Sequence, residues 1–207
     1  TDTFVIFDDV NFKKKSYINR NNILSGNKSL QITLELQGAS QNKLINDIKI
    51  GDNLQKLLKS IYINYKKAPF FEIVFPVIQD IFTQDEKKLS NFLGYSLINL
   101  CKYMGINSKI IYSSEIDKDN SLRAQEKIIS ICKKLKATNY INAINGKSLY
   151  NYDKFMENKI KLNFIETNLF EYNQFNNNFI PYLSIVDIMM FNDKDQINNM
   201  LQNYKLI

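Results

Sequence analysis

Between residues 109 and 165 the chain alternates between short β-branched or aromatic runs and stretches whose apolar residues recur every three or four positions. Residues 109–112 (KIIY), 140–144 and 161–165 read as strands. Residues 122–135, with Leu122, Ile128, Ile129, Cys132 and Leu135 on one stripe, and residues 149–158 read as the helices between them. Strand, helix, strand, helix, strand at this spacing predicts βαβ units, which require parallel strands and right-handed crossovers.

The N-terminal third is strand-rich. Residues 3–7 (TFVIF) form one apolar run, and Leu30, Ile32, Leu34 and Leu36 alternate with polar residues between the turn signals Gly26-Asn27 and Gly38. Ile45, Ile48 and Ile50 mark a third extended piece that ends at Gly51-Asp52. From Asp52, a suitable N-cap, the period lengthens: Leu54, Leu57, Leu58, Ile61 and Tyr65 line one helix face until Ala68-Pro69. Residues 70–82 read as a buried helix in which Pro76 marks a kink or the start of its second half. Residues 90–104 read as another helix, with Gly105 as its C-cap. Residues 183–191 and 197–204 close the chain as two helices, the first preceded by Pro181 and capped by Ser184 with Asp187 three residues on. Residues 176–178 are an asparagine loop. The prediction is a single α/β domain over residues 1–207: a mostly parallel central sheet with helices on both faces, a strand-rich N-terminal part and a helical insertion at about 52–104.

Composition narrows function. With 207 residues and 44% hydrophobics the chain can bury a core without metal or disulfide staples. No apolar run approaches the roughly 18 residues that span a bilayer, so no membrane insertion is expected. The net charge of +6 comes almost wholly from lysine, Arg20 and Arg123 being the two arginines. Those lysines are scattered, and abundant Lys, Asn and Ile suggest a coding bias, so nucleic-acid binding is not expected. Cys101 and Cys132 lie within helical patterns at no zinc or redox spacing and read as buried reduced thiols. The chain has no histidine, which removes the usual general base, the Ser/His and Cys/His dyads and the commonest metal ligand. Catalysis then falls to Asp, Glu, Lys, Tyr, a thiolate or backbone dipoles. Without a secretory signal, a cysteine framework or a lipidation motif, the expected compartment is the cytoplasm. The chain opens at Thr1 rather than methionine, and the expectation is an upstream segment that was either removed or left out.

Three polar groupings carry candidate chemistry. Asp8 and Asp9 follow the first strand, where α/β sheets collect ligand groups; they can hold a metal with a phosphate, act as an acid/base pair, or cap the next turn. Asn11, Lys14, Asn19, Arg20 and Asn21 follow within a dozen residues, and Arg20 suits either a fork-type contact with a carboxylate or phosphate or a structural pair with Asp8 or Asp9. Next, Ser113, Ser114 and Glu115 end a strand, and Asp119, Ser121 and Gln125 open the helix after it. This is an anion site at a helix N-terminus, or a helix cap on Asn120 or Ser121 that leaves Gln125 unexplained. The third grouping is the loop from Asn142 to Gly146, whose glycine admits a ligand to the backbone or only makes a turn. There is no P-loop, zinc or triad motif, so no metal ligand set is assigned and no cofactor is identified.

FVIFDDVNF, INRNNIL, LQGASQNKLINDIKI, SSEIDKDNSLRAQEKIISICKKLKATNYINAINGKSLY and NNFIPYLSIVDIMMFN, in that order, resemble the WbqC-like protein family of bacteria over nearly the whole chain. Members are often encoded among genes for O-antigen and other surface glycans. The resemblance therefore implies a cytoplasmic protein acting on a nucleotide-activated or lipid-linked sugar and transferring an acyl or aminoacyl group to a sugar amine. The alternative is a non-catalytic subunit that binds the activated sugar or a partner. Carried onto this chain, the resemblance makes Asp9 and Glu115 the candidate catalytic carboxylates. Asp8, Asn19, Arg20, Asn21, Ser114, Ser121, Gln125, Asn142, Gly146 and Asp187 become substrate-binding candidates, with Pro181 and Ser184 in the same motif. Its partners are a small-molecule substrate and, compatibly, a second copy of the chain. Two departures stand out: the family's Gln-Pro and Pro-aromatic segment is not seen ahead of Phe4, and Ala137-Thr138 leads to Asn139 where members often carry histidine.

Overall fold

A computed structural model describes residues 1–175 and 178–207, so Asn176 and Asn177 of the predicted asparagine loop lie outside the described residues. The chain divides into two compact units. Unit 1 is Thr1–Ile111 with Glu171–Met200, and unit 2 is Tyr112–Phe170 with Leu201–Ile207.

Unit 1 holds most of the strands in small sheets. β1 (Thr3–Ile6) pairs with β6 (Lys109–Tyr112). β2 (Arg20–Ser25) and β3 (Lys28–Thr33) form an antiparallel hairpin, Ser25 opposite Lys28, around Gly26 at φ +56°. This left-handed backbone suits glycine, which has no Cβ to clash. β4 (Leu36–Gln37) pairs antiparallel with β5 (Lys49–Ile50). The period-two run therefore breaks after Thr33 instead of continuing as one strand: Leu34 turns into the core while Leu30 stays 40% exposed.

The predicted helices follow closely. α1 (Leu54–Tyr65) buries Leu57, Leu58, Ile61 and Tyr65. Its N-cap is Asn53 rather than Asp52, and the Asn53 amide bonds across to Thr33 O and Glu35 N instead of capping the helix. α2 (Phe71–Thr83) passes through Pro76 as one helix, and α3 (Leu89–Met104) ends on Gly105 in the left-handed conformation. Among the described residues of unit 1, two apolar clusters form the core. One joins Ile23 and Leu24 of the hairpin to α1, α2 and the later helix α6 (Ile185–Phe191); the other gathers Phe12, Leu34, Ile48, Ile50 and Leu89. Ser184 caps α6 as expected, accepting from Val186 N.

Unit 2 contains α4 (Ala124–Lys134), β7 (Asn139–Ala143), α5 (Tyr152–Glu157) and β8 (Lys161–Thr167). β7 and β8 pair parallel across α5, which is the predicted βαβ unit. α7 (Lys194–Leu201) stops short of the predicted 197–204 helix, and Tyr204 instead begins β9 (Tyr204–Leu206), antiparallel to β8. Mixed α/β composition is thus observed. In place of one mostly parallel central sheet, the described strands lie in four small sheets of two or three strands. In unit 1 the hairpin packs on α1 and α6, so helices rather than further strands cover its apolar side.

Candidate functional site

An antiparallel backbone seam starts the site in unit 1: Phe12 N donates to Lys43 O at 2.9 Å, Ile45 N to Val10 O at 3.0 Å and Asn46 N to Asp8 O at 3.1 Å. The seam buries Phe12 and leads into a turn in which Ser16 Oγ donates to Lys13 O at 2.6 Å. Within that turn Lys15 is left-handed at φ +59°, a conformation costly for a residue with a Cβ and concentrated at ligand clamps. Asn19 then locks the chain back onto Leu34: its Nδ2 donates to Leu34 O at 2.8 Å, and its own O accepts from Leu34 N at 2.8 Å. Arg20 follows as the first residue of β2, opposite Thr33.

These segments enclose an open groove of about 270 Å³, with Lys14, Lys15, Asn19 and Arg20 as its polar lining and Phe12, Leu36 and Ala39 as its apolar lining. Among the described residues three cations and no carboxylate line it. Arg20 Nε is buried with no hydrogen-bond partner among the described residues. A buried donor left unpaired costs about 1–3 kcal/mol, so an anionic acceptor there recovers that cost and adds a charge-assisted bond. The volume is below the usual range for whole drug-sized ligands and fits the phosphate end of a larger one. Asp8 and Asp9 are buried beside the seam, 2% and 9% exposed, and the Oδ1 of Asn46, whose N–H holds Asp8 O, is also buried without a partner among the described residues. Asn21 is exposed, its Oδ1 accepting from Asn22 N.

Asp187 sits elsewhere in unit 1, fully buried. Its Oδ1 accepts from Tyr65 Oη, and its Oδ2 from Tyr172 Oη and Gln174 Nε2, each at 2.7 Å. Tyr65 Oη in turn accepts from Leu24 N at 2.8 Å, and Gln174 Oε1 accepts from Ile180 N at 2.7 Å. Burial raises the Asp187 carboxyl above the ordinary carboxylate value while the three donors oppose that shift, and burial raises both tyrosine hydroxyls as well. Pro181 and Ser184 precede α6 in the chain, Ser184 as its N-cap with its N–H donating to Asn22 O at 2.7 Å.

The other predicted residues lie in unit 2. Ser114 and Glu115 are exposed on the 3-10 turn Ser113–Glu115. Ser121 is not the N-cap of α4: its N–H and hydroxyl both donate to Asp119 Oδ1, and Arg123 takes the cap position. Gln125 Oε1 accepts from Asn151 N, holding the residue that caps α5. Asn142 Nδ2 donates to the hydroxyls of Tyr150 at 2.7 Å and Tyr140 at 3.1 Å. Gly146 packs against Asn142 and Tyr150, where an added Cβ would meet ordinary contacts at 3.4 and 3.5 Å. The groove gathers Asn19 and Arg20, and Asp8 and Asp9 lie in the same unit; Glu115 belongs to the other unit.

Sequence reasoning passed over Lys15 and Asn46, and also the buried Lys118 and Lys127, of which Lys118 Nζ donates to Ser113 O. Lys15 carried a usable signal, five residues from Arg20 in a turn; the lysines of unit 2 carried none. No group of three or more metal-ligating side chains occurs among the described residues.

The WbqC-like family model matches residues 1–199. The chain belongs to the WbqC-like protein family. This WbqC-like chain is also similar to a protein of Mycobacterium tuberculosis named Uncharacterized protein Rv1507c, 23% identical over 193 residues, covering 91% of this chain and 83% of that one. No solved structure matches it significantly. All the groove residues and the Asp187 network fall inside the family match.

Proposed function

We propose that the protein binds the phosphate-bearing end of a nucleotide-activated or lipid-linked sugar in the unit 1 groove, in the synthesis of bacterial surface polysaccharide of the O-antigen type. The observation that carries this reading is the groove itself: Lys14, Lys15 and Arg20 line it with Asn19, and among the described residues no carboxylate lines it and Arg20 Nε is a buried donor with no partner. Arginine forks and lysine ammonium groups suit phosphate oxygens. The family's company of surface-glycan genes supports the sugar as the rest of the ligand, and the cytoplasm as the place where activated sugars are handled.

The reaction in this reading is transfer of an acyl or aminoacyl group to a sugar amine. The amine nitrogen attacks the donor's carbonyl carbon, an amide C–N bond forms, and the donor's C–S or C–O bond breaks. The amine proton passes to a carboxylate and on to the departing thiolate or alkoxide. Asp9, buried in the same unit as the groove, is the base in this reading, and Glu115 is the second candidate. A polar site without histidine fits a second reading equally well, a subunit that binds the activated sugar or a partner without chemistry.

Titration calorimetry with nucleotide sugars tests the binding step. Arg20→Ala should lower affinity about tenfold or more, the worth of one charge-assisted hydrogen bond. Equal affinity of wild type and variant, or no binding of any nucleotide sugar, would remove the groove reading. Asp9→Asn then separates the two readings: a transferase loses turnover and keeps affinity, whereas a binding subunit shows no turnover to lose.

A further inference from the structure

Helix α1 turns outward a face whose charge is all of one sign. Lys56, Lys59, Ile63 and Lys66 recur at spacings of three and four, opposite the buried Leu57, Leu58, Ile61 and Tyr65, and Lys67 follows at the helix end. All five are exposed. Ile63, at 55% exposure, is an aliphatic side chain set among ammonium groups. Tyr62, 44% exposed at the margin of the stripe, lies edge-on to Phe71 and Phe75 of α2. The chain has 21 acidic residues, yet residues 54–67 hold none, so no carboxylate on this helix neutralises its lysines at i+4. Among the described residues none of these lysines forms an ion pair.

We propose that this face of α1 docks the protein on an anionic phospholipid surface. A helix lying flat brings all four ammonium groups within a Debye length of the headgroups, and their methylene stems reach along the interface. Ile63 and the Tyr62 ring enter the boundary between headgroups and acyl chains. Nucleic acid is the other polyanion that attracts lysine, but it offers no apolar phase for an isoleucine at the middle of the stripe, and the stripe contains no arginine to read phosphate or base edges. The docking requires no membrane-spanning segment, and no described helix is long and apolar enough to be one.

The full chain is mixed with phosphatidylcholine vesicles, with or without phosphatidylglycerol, and bound protein is measured by flotation. Binding is expected only to the anionic vesicles and should fall as salt rises. Each lysine lost should weaken partitioning about fivefold, so Lys59→Gln with Lys66→Gln should cost about 25-fold. Ile63→Ser, which leaves the charge unchanged, should weaken binding severalfold. Lys56→Gln with Lys67→Gln provides an independent charge pair should the first disturb the helix by circular dichroism. No flotation with anionic vesicles, or equal flotation of wild type and both lysine pairs, overturns the proposal. So does RNA binding tighter than vesicle binding and indifferent to Ile63→Ser, which would assign the face to nucleic acid.

Discussion

Replacing Tyr65 with phenylalanine removes one oxygen and leaves the ring and its edge contact with Phe191 at 6.1 Å in place, so almost no cavity opens. Two partners lose their bond. Leu24 N, on a residue 1% exposed, loses its acceptor at 2.8 Å, and Asp187 Oδ1 loses its donor at 2.7 Å. An unpaired buried N–H costs about 1–3 kcal/mol, and a hydrogen bond to a charged group is worth about 1.5–3 kcal/mol. The two losses share one hydroxyl whose own burial was costly, so the net expectation is about 2–4 kcal/mol. The chain has no tryptophan, so urea unfolding is followed by far-UV circular dichroism. With a urea slope near 2 kcal/mol/M, the midpoint should drop by about 1–2 M at unchanged slope. Amide exchange at Leu24 should accelerate selectively. Tyr17→Phe, at a residue 75% exposed, is the control and should leave the midpoint unchanged. A loss below about 0.5 kcal/mol, or an unchanged Leu24 amide, would show that the hydroxyl does not hold β2 to α6.

Four further outcomes follow from the structure. Burial holds the Asp187 carboxyl above its ordinary value of 3.8, so the folded state binds that proton more tightly than the unfolded state; the resulting stability is full below pH 3.8 and is lost as pH rises through the folded-state value. Asp187→Asn should flatten this part of the stability–pH curve while lowering stability at pH 7, and an unchanged curve would refute the assignment. Gly51→Ala should destabilise by about 1–3 kcal/mol in urea unfolding, because the new Cβ would lie 2.7 Å from Glu35 Cβ while Gly51 N donates to Glu35 O at 2.6 Å. Gly146→Ala should leave the melting temperature nearly unchanged, its Cβ meeting only ordinary contacts. Cys132, 4% exposed with its thiol pushed up to about 11 by burial, should react with a thiol reagent far more slowly than the partly exposed Cys101, as peptide mapping by mass spectrometry would record.

Much of the helical framework was legible because period and punctuation agree. α1 and α3 carry a three-to-four-residue stripe, and Gly105 closes α3 where a left-handed cap is needed. The β7–α5–β8 unit was legible from alternation alone. β2 was not, because Arg20, Asn21 and Asn22 have little strand propensity, and its identity comes from pairing with Lys28–Thr33 across Gly26. β9 was hidden for a similar reason: three exposed residues form a strand only because β8 offers an edge. In the candidate site, Arg20 and Asn19 were legible as rare or donor-rich residues, whereas Lys15 was lost among lysines of the same composition.

Local pattern determined which face of α1 is buried, where Ser184 caps α6, and where Gly105 closes α3. Tertiary structure decided the partners of the polar groups. Asp187, three residues from a capping serine, reads locally as the second half of a capping box. Its carboxylate instead closes a contact with Tyr65, 122 residues away, and with Tyr172 and Gln174. The same holds for the groove, where Lys14 and Arg20 share a wall only because Phe12 and Leu34 are drawn into one apolar cluster. Periodicity is a property of neighbours along the chain, whereas an unpaired donor or a cluster of like charges depends on which distant segments burial brings together.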